Sequence, residues 1–433
     1  MSMKKRQQTA GGAGCWQDAG GSPQTGGGRQ LHGGEEQEDA MAAGKTIVML
    51  GSGIYGAAFI RELLRESESV IGKIVLADID RGKAESLAVE LGGSNYQTSS
   101  VCVDASDEQS LLQVIQDVDL VVNITGPFEK TAVAAIRAAT KRKIDYIDIN
   151  GHAASTREVL ALDREVREAG ISALIGFGDT PGMVNIFARH GADQLDEVHE
   201  IHIGAGGSGG GRKGLVGLSR IWHNVISDPA LVYRDGQVHE VPARADKELI
   251  WVPGVDEPME VMSARHTEVL TLPRFIPGVK LVTYKVGFFP KGKANDVVCT
   301  MFDWGMNSMK PIDVNGVPVV PADFALAFLV SDAYAQAVGL DAVPFLIGYQ
   351  VRVTGTKNGK AAQCMYRFRD TQVALTQTTL AAGVKMLLKG EVSERGVIAP
   401  EGLNPEPFIT AALAHGMILQ EIKEEIRQHC LKN

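Results

Sequence analysis

The residues with the clearest chemistry are Gly51-Ser52-Gly53-Ile54-Tyr55-Gly56. They follow the apolar run Thr46 to Leu50 and open a segment in which Phe59, Ile60, Leu63 and Leu64 fall on one helical stripe. Strand, G-x-G-x-x-G turn and helix in that order can seat a dinucleotide pyrophosphate. Gly51 permits the sharp turn, Gly53 has no side chain to block the phosphates, and Gly56 lets helix and strand approach. Ser52, Ile54 and Tyr55 complete the turn, and the helix N-terminus offers N–H groups and partial positive charge. Asp78 lies 22 residues past Gly56, at the end of the next apolar run. A carboxylate there accepts the ribose hydroxyls of NAD and repels the 2′-phosphate of NADP. Ile79 follows it, and Arg81, one helical turn on, can reverse the preference. NAD is therefore expected and NADP stays open. The competing reading is a glycine-rich turn with no ligand.

Two further strand ends fit. Asp104 can meet the adenine amino group, and it fits equally a capping role beside Ser106. Asn123 to Phe128 is a small-residue turn, in which Thr125, Gly126 and Pro127 let backbone lie along the nicotinamide ribose. A plain strand–helix turn has the same composition. Ligands in open α/β sheets sit at the carboxyl ends of strands, which favours the first reading.

Such residues need strands that end on one edge. The pattern predicts strands at 46–50, 74–77, 101–103, 120–124, 144–149 and 171–175. Between them it predicts helices at 57–66, 81–91, 107–116 with Ser106 as cap, 131–140 and 156–169. This alternation makes βαβ units and a doubly wound parallel sheet, an α/β fold. After about residue 181 the rhythm changes. A helix at 183–191 precedes alternating runs at 198–203, 230–241, 248–252, 279–287, 296–302, 348–355 and 360–369. The last two flank Asn358-Gly359, a strong hairpin signal. A second, α+β domain with a mixed, mostly antiparallel sheet is expected. Helices at 376–389 and 405–426 are expected to return to the first domain. The divisions are a disordered tail over 1–43, a dinucleotide-binding domain over 44–180, a second domain over 181–375 and C-terminal helices over 376–433.

The chain of 433 residues suits two or three domains of roughly 150 residues. Its 43 Lys and Arg against 52 Asp and Glu give a net charge of −9, which excludes a general basic surface for nucleic acid or anionic lipid. Cys15, Cys102, Cys299, Cys364 and Cys430 are scattered, form no CxxC pair and have no metal-ligand spacing. They read as reduced thiols of a cytoplasmic protein, with no metal. No apolar stretch reaches the ~18 residues of a membrane span.

Several segments together resemble the saccharopine dehydrogenase/reductase-like oxidoreductases. They are VMLGSGIYG, VVNITGPF, the Ala-rich helix leading to DYIDINGH, and GFGDTPGMVNIFARHGADQLDEVHEIHI. LTLPRFIPGV, LAAGVKMLLKGE and GVIAPE continue the likeness, which covers nearly everything after residue 44. Asp78-Ile79-Asp80-Arg81 is more similar to the NAD-using lysine 6-dehydrogenase type than to NADP-using reductases, which place a Ser-Arg pair there. The resemblance implies a Rossmann domain completed by C-terminal helices, and a substrate and dimerisation domain between. It implies a homodimer joined through that second domain. It also implies NAD(P)-linked oxidation or reduction of a C–N bond in an amino acid or amino-acid conjugate, of saccharopine or lysine type.

Such hydride transfer needs the substrate carbon held near the nicotinamide and one proton moved on nitrogen. His152, at the end of the fifth strand, suits the proton role, though a loop position explains it equally. Asp179 can hold a substrate ammonium or cap the helix starting near Pro181. Arg265, Arg220 and Lys213 are candidates for a substrate carboxylate, and each reads equally as a surface charge. His223 and His266 are more remote candidates. Thr271 resembles a family position near the substrate, and a turn role fits it as well. Two alternatives stay open: an NAD(P)-binding scaffold or sensor without chemistry, and a reductase of C=C or C=O bonds.

Overall fold

The computed structural model describes residues 44–67, 70–92, 96–208, 221–227, 229–289, 294–338 and 347–425. The tail over 1–43, Lys213 and Arg220 lie outside them.

The first six strands are β1 (Lys45–Leu50), β2 (Ile71–Asp78), β3 (Gln97–Cys102), β4 (Leu120–Asn123), β5 (Asp145–Asp148) and β6 (Ser172–Leu174). They pair in parallel, and a strand from far along the chain, Gly396–Ile398, joins the edge at β6. The order across the sheet is that late strand, β6, β5, β4, β1, β2, β3. Ile47 and Met49 enter one core, Val48 and Leu50 the other. A strand buried on both faces must be apolar throughout, which is why β1 shows no alternation. Helices Ile54–Ser67, Arg81–Leu91, Glu108–Val114, Phe128–Arg142, Ala153–Ala161 and Asp163–Ala169 cover the faces. This is the doubly wound Rossmann arrangement, and its strand order reverses between β1 and β4, where a crevice opens.

The second sheet contains β7 (Glu197–Ser208), β8 (Ala230–Arg234), β9 (Gln237–Val241), β10 (Glu248–Ile250), β11 (Met259–Ser263), β12 (Leu281–Phe289), β15 (Ile347–Lys357) and β16 (Lys360–Asp370). A separate hairpin, β13 (Ile312–Val314) and β14 (Val317–Val319), precedes β15. With β17 as the late strand Gly396–Ile398, the final strand is β18 (Ile418–Glu425), which pairs with β16. Neighbours are antiparallel except β7 and β12, so the sheet is mixed and mostly antiparallel. Asn358 and Gly359 turn β15 into β16 with φ of 51° and 73°.

Several elements differ from expectation. The helix after β3 is capped by Asp107, which accepts from Gln109 N and Ser110 N, whereas Ser106 donates to Asp104. The helix predicted over 156–169 is two, divided at Leu162. The run 230–241 is a hairpin turned at Asp235-Gly236. The run 296–302 is not a strand but the helix Ala294–Asp303, whose buried Ala294, Val298 and Phe302 recur every four residues. The segment 405–426 is helical only over Glu406–Ala414. Gly416, at φ 95°, ends it, and the chain becomes β18. The C-terminal part therefore returns to the Rossmann sheet through the helix Gln372–Leu388 and β17, then adds an edge to the second sheet. Gly383 sets the close approach of that helix: a Cβ there would lie 2.7 Å from Ile147 Cδ1. Cys299 and Cys364 are free, but Cys102 is disulfide-bonded, which corrects the reading of five thiols. Among the described residues no helix is long and apolar enough to cross a membrane.

Candidate active site

The glycine-rich turn after β1 has three unlike glycines. Gly51 has φ +105°, and a Cβ on it would press on Thr125 Oγ1 at 2.7 Å. A Cβ on Gly56 would lie 2.2 Å from the Gly51 carbonyl oxygen. A Cβ on Gly53 would meet nothing within 4 Å, so this position borders open space. Between them Ser52 is buried, with an Oγ that has no hydrogen-bond partner. Ile54 starts the following helix, and the Tyr55 hydroxyl donates to Gln372 Oε1 at 3.3 Å, tying that helix to the C-terminal one.

Asp78 ends β2 beside this turn. Its Oδ2 accepts the Ser52 N–H at 2.7 Å and its Oδ1 the Asp80 N–H at 2.9 Å. Two backbone donors fix the carboxylate, and lone pairs remain for hydroxyl donors. Ile79 is exposed, and Arg81 is engaged with Glu85 on its own helix at 2.7 Å. Asp104, past β3, accepts from Ser106 N and Oγ at 2.9 and 2.7 Å. Past β4, Thr125 N–H donates to Asn123 Oδ1 at 3.0 Å and the Thr125 carbonyl accepts Thr131 Oγ1 at 2.7 Å, which pins the Thr125-Gly126-Pro127 turn. An open glycine, an unpartnered buried hydroxyl and a fixed acid fit a dinucleotide's pyrophosphate and ribose.

The ends of β5 and β6 form a second polar layer. Asp148 accepts from Asn150 N, Gly176 N and the Tyr146 hydroxyl at 2.9, 2.8 and 2.9 Å. Burial pushes its carboxyl up to about 6, against the lowering effect of those bonds. Asn150 Oδ1 accepts from His152 N and Ser155 Oγ. His152 is half-buried and its Nδ1 accepts the Ser155 N–H at 3.3 Å, so the imidazole caps the helix Ala153–Ala161. Its neutral form then carries the proton on Nε2.

Asp179 is not a helix cap. The helix Met183–Ala192 starts behind Gly182, whose N–H donates to Asn185 Oδ1 at 3.0 Å. Asp179 instead accepts the Tyr349 hydroxyl at 2.5 Å and Thr376 Oγ1 at 3.2 Å. Burial and the neighbouring carboxylate push the Tyr349 hydroxyl far above its ordinary range. The next residue, Thr180, donates to Glu268 Oε1 at 2.6 Å, and Glu268 Oε2 lies 2.5 Å from His266 Nδ1. The His266 ring stacks on Tyr284 at 4.4 Å, and its Nε2 has no partner. Burial pushes Glu268 up, but His266 and the bonds from His266 and Thr180 more than offset it, so the carboxyl stays below its usual range. Glu401 accepts from Asn185 Nδ2 at 2.9 Å, and burial raises its carboxyl to about 7. Thr271 is buried beside Asn185.

The structure thus gathers Thr125 to Pro127, His152 and Asp179 at the carboxyl edge of the first sheet. His266 and Thr271 reach them through Thr180 and Asn185. Arg265 is committed elsewhere, since its Nε donates to the Pro229 carbonyl at 2.8 Å. His223 is half-buried in the short helix Ile221–Val225. Sequence reasoning passed over Glu268, Tyr284, Tyr349 and Glu401, because only the fold brings these distant segments together. Among the described residues no group of three or more His, Cys, Asp or Glu is placed to hold a metal.

Residues 47–174 match the family model of the saccharopine dehydrogenase NADP binding domain, and residues 178–417 match that of the saccharopine dehydrogenase C-terminal domain. The chain belongs to the saccharopine dehydrogenase family. It is an NAD(P)-dependent oxidoreductase. Carboxynorspermidine synthase of Vibrio cholerae is 26% identical over 405 residues, 86% of this chain and 95% of that one. Carboxyaminopropylagmatine dehydrogenase of Synechocystis is 22% identical over 377 residues, 81% and 91% of the two chains. The apo saccharopine dehydrogenase (L-Glu forming) of Saccharomyces cerevisiae shares the fold, with a TM-score of 0.63 at 17% identity over 88% of this chain and 100% of that one.

Proposed function

We propose that this oxidoreductase reduces the C=N bond of an imine, or oxidises the corresponding amine, in an amino-acid or polyamine conjugate, by hydride transfer between a dinucleotide and the carbon bonded to nitrogen. The observation that supports the reading is the pair of buried carboxylates beside Thr180: Asp179, its neighbour in the chain, and Glu268, which accepts its hydroxyl. Amine substrates arrive cationic, and buried acids balance that charge where water is excluded. The relatives named for carboxynorspermidine and carboxyaminopropylagmatine support an amine conjugate as substrate.

When bound, the nicotinamide gives or takes the hydride. The turn Gly51 to Gly56 seats the pyrophosphate. Asp78 selects NAD, with Ile79 and Arg81 flanking the ribose. Asp104 faces the adenine, and Thr125, Gly126 and Pro127 border the nicotinamide ribose. His152 Nε2 moves a proton on the substrate nitrogen, and Asp179 stands against the substrate ammonium. Arg265, Arg220 and Thr271 serve the carboxylate end, which for Arg265 requires release from Pro229. The reading extends to a cytoplasmic homodimer joined through the second domain.

The test is nicotinamide absorbance with NADH and NADPH across pairs of amines and amino-acid-derived aldehydes, with amine products quantified. Oxidation of the cofactor with formation of a secondary amine is expected. Dinucleotide binding without turnover for any pair indicates the scaffold. Turnover that consumes no amine indicates a C=C or C=O reductase.

A further inference from the structure

Tyr349, Val351 and Phe368 turn into the core, Tyr349 against Asp179, so the alternate residues of β15 and β16 face the other way. On that outer face Arg367 and Arg369 stand two residues apart on β16, their Cα atoms about 7 Å apart. Both are half-buried. Arg367 Nε donates to Gln350 Oε1 at 3.0 Å, which also accepts the Trp251 N–H at 3.4 Å. The Arg369 guanidinium lies against Gly254, where a Cβ would come within 2.7 Å of Nη2, and its Nε is buried with no hydrogen-bond partner. The segment 251–254 thus brackets the pair on one side, and the donors are recessed.

Neither guanidinium meets an acid among the described residues. The register explains why. Arg367 faces Gln350 on β15 and Gln420 on β18, and Arg369 faces Gly348 and Ile418. Glu424, further along β18, accepts Gln363 Nε2 at 2.8 Å instead. Burial holds the Arg367 guanidinium below its usual range, and Glu424 offsets this only in part. The cations of the same face on β7, β12 and β15 are paired. His202 meets Glu200 at 3.0 Å, Lys285 meets Asp246 and Glu248 at 2.9 and 3.0 Å, and Arg352 meets Glu248 at 3.6 Å. Two like charges side by side, half desolvated and without an acid, carry a cost that a bound anion offsets. Their free Nη donors form the planar fork that fits a carboxylate or a phosphate.

We propose that Arg367 and Arg369 hold a small dianion, phosphate or a dicarboxylate, on the face of the second sheet turned away from Asp179. The test is calorimetry of the full chain at constant ionic strength with inorganic phosphate, succinate and acetate, with sedimentation alongside. The variants are Arg367→Gln, Arg369→Gln and Arg367→Lys. The wild type is expected to bind phosphate or succinate, and both glutamine variants at least tenfold more weakly. Arg367→Lys, which keeps the charge and loses the fork, should fall between them. The melting temperature without anion should hold or rise in the glutamine variants, because a repulsion is gone. Binding of phosphate alone means one tetrahedral ion bridges the pair, and binding of succinate alone means one carboxylate on each; either supports the site. A wild type that binds neither dianion overturns it, as does unchanged binding in both glutamine variants. Acetate binding as tightly as the dianions reduces the effect to general charge screening and overturns it. A wild-type dimer that dissociates in the variants assigns the arginines to a carboxylate of another copy and overturns it as well. NAD affinity and turnover, which decide the C–N reading, should not change in any variant.

Discussion

The backbone N–H of Ser52 donates to Asp78 Oδ2 across 2.7 Å, so the phosphate turn and the ribose-selecting acid are one unit. Asp78→Ala removes the acceptor for ribose hydroxyls and also the repulsion of a 2′-phosphate. Hydrogen bonds to a charged group contribute about 1.5–3 kcal/mol each. We expect NAD affinity to fall roughly 10- to 100-fold and NADP affinity to change far less. Calorimetry with both dinucleotides checks this, with Asp78→Asn as the second variant because its amide oxygen keeps an acceptor for the Ser52 N–H; equal losses of both dinucleotides in Asp78→Asn would show that Asp78 does not touch the ribose.

The three glycines of the turn differ in what a methyl group meets, which separates binding from folding. Gly53→Ala adds a Cβ into open space, so the melting temperature is expected to stay within about 2 °C while dinucleotide binding is lost. Gly56→Ala places a Cβ 2.2 Å from the Gly51 carbonyl, so it should cost about 1–3 kcal/mol of stability as well. Thermal melts paired with binding isotherms test the contrast. A Gly53→Ala variant that binds normally removes the pyrophosphate from this turn.

The parts visible in the sequence were those set by local patterns. β1, the turn and Asp78 are contiguous, and buried parallel strands announce themselves by unbroken apolar runs. The run 296–302 reads as one more of the strand-like runs of the second domain, although it lies in the helix Ala294–Asp303. Only burial of Ala294, Val298 and Phe302 shows the helical face. The segment 405–426 reads as helix throughout, but after Gly416 the edge of β16 is open to pairing, and pairing overrides propensity. Glu268 and Tyr349 could not be found at all from sequence. Their partners Thr180 and Asp179 lie 88 and 170 residues away.

Glu401 makes stability depend on pH. Its carboxyl titrates near 7 in the fold against an ordinary value of 4.5, because burial disfavours the charge. Between those values the folded state binds the extra proton, so stability falls as pH rises and levels off above about 7. The size is on the order of 3 kcal/mol. Asp148 acts in the same sense, but only up to about 6. Urea denaturation at pH 5, 6, 7 and 8 should show Glu401→Gln losing less stability than the wild type between pH 6 and 7. Parallel curves would mean that Glu401 is ionised in the fold.

His152 does two things that one substitution separates. Its Nδ1 caps the helix Ala153–Ala161 through Ser155 N, and its Nε2 is the atom assigned to proton transfer. Asparagine is a strong helix cap but cannot exchange a proton near neutrality. His152→Asn should therefore keep the melting temperature and NAD affinity while lowering kcat by about 10²- to 10⁴-fold and removing the kcat pH dependence near neutrality. His152→Ala loses the cap as well, at a cost of about 1 kcal/mol. If His152→Asn keeps the wild-type kcat and pH profile, the imidazole is only a cap, and the proton must move through another group, with His266 Nε2 the next atom to examine.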